Sequence, residues 1–261
     1  MPISPPPLAL ITGASRGLGA AYARNLAKKG YRLLLIARNE SRLLELASTL
    51  RSHHGIMVHH ETLDLAQPKA SARLYDFTRQ YGEAPDLLIN NAGFGMYGPF
   101  HTHPPAEIRK MLQLHINTIV ETIHLFLPTM IARRSGCIIN VSSLAGFFSL
   151  PYMAEYAATK AFLISFSEAL AEEVHPFDLK IQVCCPGQTE TEFHATAGFR
   201  PRGFAHPQDP DEVVRVSLLA LHSNRSTVTF GWQGQVATLL AKLFPRRFLA
   251  RRSASRIRPP S

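Results

Sequence analysis

A glycine-rich turn near the start of the chain has the composition of a phosphate-binding site. The segment LALITGASRGLGA places Gly13, Gly17 and Gly19 directly after an apolar run and at the start of a helix-like segment. Glycines let the backbone turn tightly and approach a pyrophosphate, while a helix N-terminus presents free N–H groups and a positive dipole end. The turn therefore predicts a dinucleotide site, and the alternative is an ordinary strand-to-helix connection. Its other candidate contacts are Ser15, Arg16 and Leu18.

Two arginines indicate which dinucleotide the site prefers. Sites that prefer NAD carry an Asp or Glu at the end of the second strand, where it binds the ribose hydroxyls. Here the second apolar run ends at Ala37, Arg38 and Asn39, before the first acid. Arg38 and Arg16 would place guanidinium groups beside an adenosine 2′-phosphate, which a guanidinium binds with two hydrogen bonds as well as its charge. We expect NADP(H) to be preferred, with NAD(H) as the alternative cofactor; otherwise both arginines are solvated loop cations.

The elements that must position these residues alternate along the chain. Strand-like apolar runs cover 8–12, 31–38, 56–65, 85–93, 137–143, 179–187 and 227–232. Helical periodicity covers 18–29, 41–53, 106–131 and 153–174, and Pro128 is expected to break or kink the third of these helices. Such alternation implies crossover connections and a parallel sheet covered on both faces. We predict a single α/β domain over residues 1–245, a doubly wound parallel sheet of about seven strands with helices on both faces, followed by a basic C-terminal tail, 246–261.

Several separated motifs resemble those of the short-chain dehydrogenase/reductase superfamily. They are TGASRGLG (12–19), NNAG (90–93), Asn117, Ser143, YAATK (156–160) and PG (186–187), in the family's order over roughly residues 8–235. The resemblance implies a Rossmann fold and an oxidoreductase that transfers a hydride between a nicotinamide and a carbonyl or alcohol. It also implies a catalytic tetrad of Asn117, Ser143, Tyr156 and Lys160.

The chemistry of each tetrad residue fits the role that the resemblance implies. Tyr156 would donate the proton, although an ordinary tyrosine pKa of about 10 is high for transfer at neutral pH. Lys160 lies one helical turn further along, and its ammonium is expected to lower the pKa of Tyr156. Ser143 would polarise the substrate oxygen, whereas the adjacent Ser142 is expected to be a structural hydroxyl. Asn117 would hold a water molecule in a proton relay.

The same resemblance implies further cofactor contacts along the crevice. At the adenine end these contacts are Asp64, Leu65, Asn91, Ala92 and Gly93. At the nicotinamide end they are Tyr156, Lys160, Pro186, Gly187 and Thr191, with Thr189 competing for the role of Thr191. Lys160 would bond the nicotinamide ribose.

The loops expected around the substrate are rich in aromatic residues and methionine. They read FGMYGPF (94–100) and LAGFFSLPYM (144–153), and a third segment follows Gly187. An apolar pocket suits a lipophilic carbonyl or alcohol. Tyr152 is either a wall of this pocket or a packed aromatic, and the segment 188–210 is expected to act as a lid.

The net charge of +9 is concentrated near the C-terminus, where seven basic residues and no acid follow from position 242. Two interpretations remain open: a basic amphipathic element resting on an anionic membrane surface, or a terminal helix packed on the core or on a second subunit. Nucleic acid is not an expected partner because no recognised motif accompanies the charge. The histidines at 53, 54, 59, 60, 101 and 103 are interpreted as solvated rather than metal-binding.

The remaining expectations concern the setting of the molecule. Three cysteines indicate a reducing compartment, and neither a signal-like nor a membrane-spanning run is found, so a cytoplasmic location is expected, with peripheral membrane contact left open. We expect a homodimer or homotetramer built on the helices carrying Asn117 and Tyr156, acting on a small-molecule substrate. Two other functions stay open: a catalytically silent dinucleotide-binding regulatory protein, and an epimerase or dehydratase on the same fold.

Overall fold

The sheet is the element that organises the site. A computed structural model describes residues 5–190, 207–223 and 225–258. Within these ranges seven strands form one parallel sheet in the order β3-β2-β1-β4-β5-β6-β7. The strands are β1 (Leu8–Thr12), β2 (Arg32–Ala37), β3 (Val58–Thr62), β4 (Leu87–Asn90), β5 (Cys137–Val141), β6 (Lys180–Cys185) and β7 (Thr227–Thr229). The order reverses between β1 and β4, where ligands bind at the carboxyl ends of the strands. The predicted doubly wound sheet is confirmed.

Helices cover both faces of the sheet. They are α1 (Gly17–Lys28), α2 (Glu40–His54), α3 (Ala70–Arg79), α4 (Pro105–Leu112), α5 (Thr118–Ala132), α6 (Ala154–Val174), α7 (Pro210–Ala220), α8 (Gly231–Leu243) and α9 (Arg246–Ile257). One hydrophobic core joins the sheet to α1, α2 and α7, and a second joins its other face to α3, α5 and α6. Both faces are therefore covered, which explains why the central strands are continuous apolar runs.

The long helix predicted over 106–131 is interrupted in the structure. α4 ends at Leu112, a π-helical turn spans Gln113–Asn117, and α5 follows. Pro128 lies inside α5, so the helix does not break there, and the alternative expectation of a kink stays a prediction. The irregular turn lies instead where the helix passes the site.

The helix α3 has no counterpart among the predicted segments, although its sequence carries a signal. Ala70, Leu74 and Phe77 are buried and repeat at helical spacing between β3 and β4. The crossover between these strands is thus helical like the others, as a parallel sheet requires.

The C-terminal region is more regular than the sequence predicted. The strand predicted over 227–232 ends at Thr229, and Gly231, at a φ of 65°, begins α8. Residues assigned to a basic tail form α9, and the Tyr97 hydroxyl donates a hydrogen bond of 2.6 Å to the Ile257 carbonyl at its end. In the described part of the chain, no helix combines the length and the hydropathy that are needed to cross a bilayer.

Candidate active site

The glycine turn is held by close backbone contacts and by the side-chain amide of Asn91. Gly13 and Gly17 have φ angles of 66° and 54°, in the left-handed region that favours glycine. A Cβ at Gly19 would lie 2.2 Å from the Gly13 carbonyl oxygen, so only glycine lets α1 begin this close to the loop. The Asn91 amide donates to the carbonyls of Thr12 and Gly13 at 2.9 and 3.2 Å. The turn is thereby fixed to β4.

The turn opens into a cavity of about 1490 Å³ along the carboxyl ends of β1 to β6. Most of the residues predicted from the sequence share this cavity. Its lining includes Gly13, Ser15, Arg16, Gly17, Leu18, Arg38, Asp64, Leu65, Asn91, Ala92, Gly93, Ser143, Tyr156, Lys160, Pro186, Gly187 and Thr189. Gly19 lies behind the turn, and Thr191 lies outside the described residues, as does most of the predicted lid.

One end of the cavity is cationic. Arg16 and Arg38 both line it, and Arg42, which the sequence analysis did not consider, is a third guanidinium there. Asn39 caps α2 by accepting a 3.0 Å hydrogen bond from the Arg42 backbone N–H. This cap places Arg38 and Arg42 on either side of the start of α2, so both can face an anionic group at the end of β2.

The adenine-side residues are ordered by their own hydrogen bonds. The Asp64 carboxylate accepts from the Ala66 backbone N–H and the Gln67 amide, both at 3.1 Å. The Leu65 carbonyl accepts from the Thr118 hydroxyl at 2.8 Å. Both residues therefore reach the cavity in fixed orientations.

At the opposite side of the crevice the chain after β6 is fastened by Gln208. The Gly187 backbone N–H donates to the Gln208 amide oxygen at 3.2 Å, and the Gln208 amide donates to the Phe230 carbonyl at 3.1 Å. The Thr189 hydroxyl donates to the Gly187 carbonyl at 3.3 Å. Gln208 was not predicted, because only the folded chain brings it back to Gly187.

Ser143, Tyr156 and Lys160 meet where β5 ends beside α6. The Lys160 ammonium donates to the Val141 carbonyl at 2.9 Å and lies 5.7 Å from the centre of the Tyr156 ring. Tyr156 and the Ser143 side chain are hydrogen-bonded. Ser142 points the other way and donates to the Lys160 carbonyl at 2.8 Å, in the structural role predicted for it.

The ionisation of Tyr156 and Lys160 differs from the sequence expectation. Burial raises the pKa of Tyr156 to about 12, and the hydrogen bond with Ser143 lowers it only in part. Burial also lowers the pKa of Lys160 to about 8, with Cys185 and Cys184 acting in the opposite direction. The net shift of the Tyr156 pKa is therefore upward, opposite to the sequence expectation, because loss of water disfavours the phenolate. The Lys160 ammonium bonds the Val141 carbonyl.

The prediction that Asn117 joins this group is wrong. Asn117 is exposed at the end of the π-helical turn, and its amide donates to the Gln113 side chain at 3.1 Å. It does not line the cavity. Residues two apart on a helix point to nearly opposite sides, so the inward position falls on His115.

His115 is the buried polar residue that the sequence analysis missed. It has no exposed surface, and its Nε2 accepts from the Phe94 backbone N–H at 3.1 Å. Its Nδ1 then carries the proton, 3.0 Å from the Thr159 hydroxyl, which itself donates to the Tyr156 carbonyl at 2.8 Å. A spacing of four from Met111 and to Ile119, both buried, was the available signal.

The environment keeps His115 neutral. Burial, and next the charge of Lys160, hold the pKa of His115 well below its usual range. A Cβ on Gly93 would lie 3.0 Å from Nε2, so the ring fits closely under the loop after β4. His115 therefore links the loop that lines the cavity to the helix that carries Tyr156.

The other end of the cavity is largely apolar, with Arg252 on its α9 side. Phe94, Phe148, Leu150 and Met153 come from the loops that were predicted to surround the substrate. The opposite wall was not predicted and comes from the C-terminal helices. Its apolar residues are Trp232, Val236, Ala237, Leu240, Phe244, Phe248, Leu249 and Ile257. Tyr152 does not line the cavity; its carbonyl accepts from the Gly98 backbone N–H at 2.9 Å.

The histidine positions show no metal-binding arrangement: the described residues contain no group of three or more side chains that could hold a metal ion. The expectation of a solvated His103 is wrong, since its buried side chain contacts the buried Glu155 carboxylate beside Tyr156. This contact ties the turn before α4 to the start of α6.

Comparison with known proteins gives one consistent family. The family model for short chain dehydrogenases matches residues 7–199. A very-long-chain 3-oxoacyl-CoA reductase of Phaeosphaeria nodorum is 37% identical over 180 residues, which are 67% of this chain and 52% of that protein. The chain thus spans about half the length of that relative. A ketoacyl reductase of Nostoc is 30% identical over 235 residues, covering 90% of this chain and 81% of that protein.

The solved structures agree with these relatives. A short-chain dehydrogenase from Sphingobium yanoikuyae, in complex with NADPH, superposes with a TM-score of 0.80 at 31% sequence identity. The match covers 85% of this chain and 87% of that one.

Proposed function

The chain belongs to the short-chain dehydrogenase family, and from this we propose that it is an NADPH-preferring oxidoreductase that reduces a lipophilic carbonyl compound or oxidises the matching alcohol. One observation carries the proposal. Ser143, Tyr156 and Lys160 face a single cavity that is cationic and glycine-lined at one end and apolar at the other. The catalytic groups lie between a place for a dinucleotide and a place for an apolar substrate.

The cavity residues fit NADP(H). Gly13 and Gly17, both at left-handed φ angles, line the cavity, so the loop backbone and the start of α1 lie open to a pyrophosphate there. Arg16, Arg38 and Arg42 would hold the 2′-phosphate, and the Asp64 carboxylate would accept from the adenine. When bound, NADPH supplies the hydride.

The chain's own residues then donate one proton and stabilise the negative charge that develops on the substrate oxygen. The raised pKa keeps Tyr156 protonated at neutral pH, so its hydroxyl is ready to donate to an oxygen that becomes an alkoxide. Ser143 would donate a hydrogen bond to that same oxygen and stabilise its developing charge. The Lys160 ammonium adds positive charge beside the phenol after the proton has left.

The apolar end of the cavity supports a substrate with a hydrocarbon portion. Aromatic and aliphatic side chains from the loops at 94 and 148–153 and from α8 and α9 would bury such a chain. Two of the relatives are named as reductases of 3-oxoacyl-CoA and ketoacyl compounds, in which the carbonyl lies on an acyl group. We favour a 3-oxoacyl thioester or a similar long-chain ketone.

The test follows NADPH absorbance while the chain is offered 3-oxoacyl thioesters of increasing length and a short polar ketone as the matched control. We expect kcat/KM to rise with chain length, because each buried methylene contributes about 0.8 kcal/mol. NADPH should be used at least about tenfold better than NADH, as expected when charge-assisted hydrogen bonds hold the 2′-phosphate.

Tyr156→Phe separates catalysis from binding in the same assay. This variant should bind NADPH with unchanged affinity, followed by fluorescence, and should lose turnover by a factor of 100 or more, roughly the contribution of one proton donor. A variant with near wild-type turnover would remove Tyr156 from the mechanism. NADPH binding without oxidation of any carbonyl would favour the silent regulatory protein, and conversion of a sugar or hydroxy compound without net NADPH loss would favour an epimerase or dehydratase.

A further inference from the structure

The C-terminal helices carry an apolar surface that no described part of the chain covers. The α8–α9 surface consists of exposed side chains: Trp232 (71% exposed), Val236, Leu239, Leu240, Leu243 (66%), Phe244 and Phe248. On α8 these residues recur at spacings of three and four and form one stripe along the helix. A contiguous exposed apolar patch of this kind marks an interaction site.

The segment that carries this surface is rich in basic residues and contains no acidic residue. The sequence from 231 to 258 contains seven Lys or Arg residues and no Asp or Glu. The described side chains of Lys242, Arg246, Arg247, Arg251, Arg252 and Arg258 are exposed. The remaining residues together carry a net charge of only +2, since +9 minus 7 leaves 2, so nearly all the excess charge belongs to this segment of the sequence.

We propose that the α8–α9 surface binds the face of an anionic lipid bilayer. Apolar side chains flanked by arginines are the combination that inserts into the boundary between headgroups and acyl chains, because long basic side chains reach the phosphates while their stems stay apolar. A second copy of the same surface fits poorly, since two facing surfaces would bring together twelve like charges, six from the described basic side chains of each copy.

The α8–α9 surface adjoins the mouth of the cavity. Trp232, Val236 and Phe248 are exposed and also form part of the cavity wall. A bilayer at this surface would therefore lie at the mouth of the cavity. The 2.6 Å hydrogen bond from Tyr97 to the Ile257 carbonyl fastens the end of α9 to the cavity. The bilayer contact itself requires no assumption about the reaction.

The test uses the full chain and two vesicle preparations, one of phosphatidylcholine and one in which part of it is replaced by phosphatidylserine. Trp232 is the chain's single tryptophan, so its fluorescence reports this surface directly. We expect a blue shift and co-sedimentation with the anionic vesicles, with affinity at least about tenfold above that for neutral vesicles and lost at high salt. Equal binding to both vesicles, no binding, or concentration-dependent self-association in place of binding would overturn the proposal.

Two matched variants locate the contact. Leu239→Ser with Leu243→Ser removes exposed apolar area outside the cavity and should weaken vesicle binding about tenfold or more. Leu44→Ser with Met57→Ser removes side chains of similar exposure (47% and 54%) elsewhere on the molecule and should leave it unchanged. Thermal unfolding and NADPH binding check that both variants are folded. Equal loss of binding in the two variants would contradict the assignment to α8 and α9.

Discussion

Tyr156 and Lys160 are both buried, and burial favours the neutral form of each side chain, so the pKa of Tyr156 rises and the pKa of Lys160 falls. With a Tyr156 pKa of about 12 and a Lys160 pKa of about 8, the phenol stays protonated across the physiological range while the ammonium does not. Lys160, rather than Tyr156, is therefore the group whose charge changes nearest to neutral pH. The pH dependence of the reductive reaction should report the lysine.

This assignment predicts the shape of the pH profile. In the direction of carbonyl reduction, kcat/KM should fall as the pH rises through about 8, because Lys160 loses its proton and its charge beside the phenol. In Lys160→Arg the guanidinium stays charged, so the remaining activity should lose this fall below pH 10 or so. Steady-state rates across pH measure both profiles, and an identical fall in wild type and variant would mean that another group titrates.

His115 presents a different case, because both of its ring nitrogens are already bonded. Nε2 accepts from Phe94 and Nδ1 faces Thr159, so the neutral ring holds the loop after β4 against α6. We treat His115 as a positioning residue for Tyr156 rather than as an acid or base. Its loss should disturb the orientation of Tyr156 more than it disturbs binding.

The variant His115→Phe keeps much of the ring volume and removes both hydrogen bonds. We expect kcat to fall about 10- to 100-fold with KM within about twofold, the pattern of a misplaced catalytic group. His115→Gln should recover part of the loss, because its amide can still accept from Phe94 and donate to Thr159. Asn117→Ala is the control two residues away and should retain wild-type kcat. A fall in kcat for Asn117→Ala as large as that for His115→Phe would restore the tetrad expected from the sequence.

At the scale of the element, the start of α1 can lie this close to the glycine turn only because residue 19 is a glycine and has no Cβ. A Cβ at Gly19 would meet the Gly13 carbonyl at 2.2 Å and the Asn91 amide at 2.7 Å. These atoms belong to backbone and to a hydrogen-bonded side chain, so neither can move without disturbing the turn. The helix would have to shift away from the loop that should receive the pyrophosphate.

Gly19→Ala should therefore weaken NADPH binding by about tenfold or more and lower stability. Overpacking of this kind costs about 1–3 kcal/mol, which corresponds to a decrease in Tm of roughly 2–12 °C for a chain of this size. Gly82→Ala is the control, since its Cβ would meet only the end of the Leu8 side chain at 3.3 Å. Fluorescence titration and thermal melts compare them; equal NADPH affinity in the two variants would contradict the close-contact explanation.

At the scale of the whole molecule, what the sequence predicts well are features set by local backbone demands and by periodicity. The glycine turn, the strands and the spacing of Tyr156 and Lys160 are of this kind. The role of Asn117 was predicted wrongly because a motif does not show which side of a helix faces the site. The buried residues Met111, His115 and Ile119, spaced four apart, do show it. Gln208 and the α8–α9 wall reach the site from distant parts of the chain, so neither motif nor period could predict them.

The sequence also predicts a homodimer or homotetramer. Its subunit interface is expected on the helices at Asn117 and Tyr156, the second of which is α6. On α6, Phe162 is 38% exposed and its ring stacks on Phe166 at 5.7 Å, so a flat aromatic pair faces outward. A homodimer that pairs this face with its copy would bury it, as an isologous contact requires. An interface here would also brace the helix that carries Tyr156.

Phe162→Glu should then shift the protein from dimer or tetramer toward monomer, because it places two carboxylates across the twofold axis of an apolar contact. Phe177→Glu is the matched control: Phe177 is 37% exposed but lies in the turn beyond α6. Light scattering coupled to size exclusion measures the mass of each. If wild type is a monomer at all concentrations, or if both variants dissociate alike, the α6 face is not the interface. A monomer with full turnover would in turn show that the α6 helix holds Tyr156 through contacts within the subunit, of which those of Thr159 with His115 and of Glu155 with His103 are the nearest along the chain.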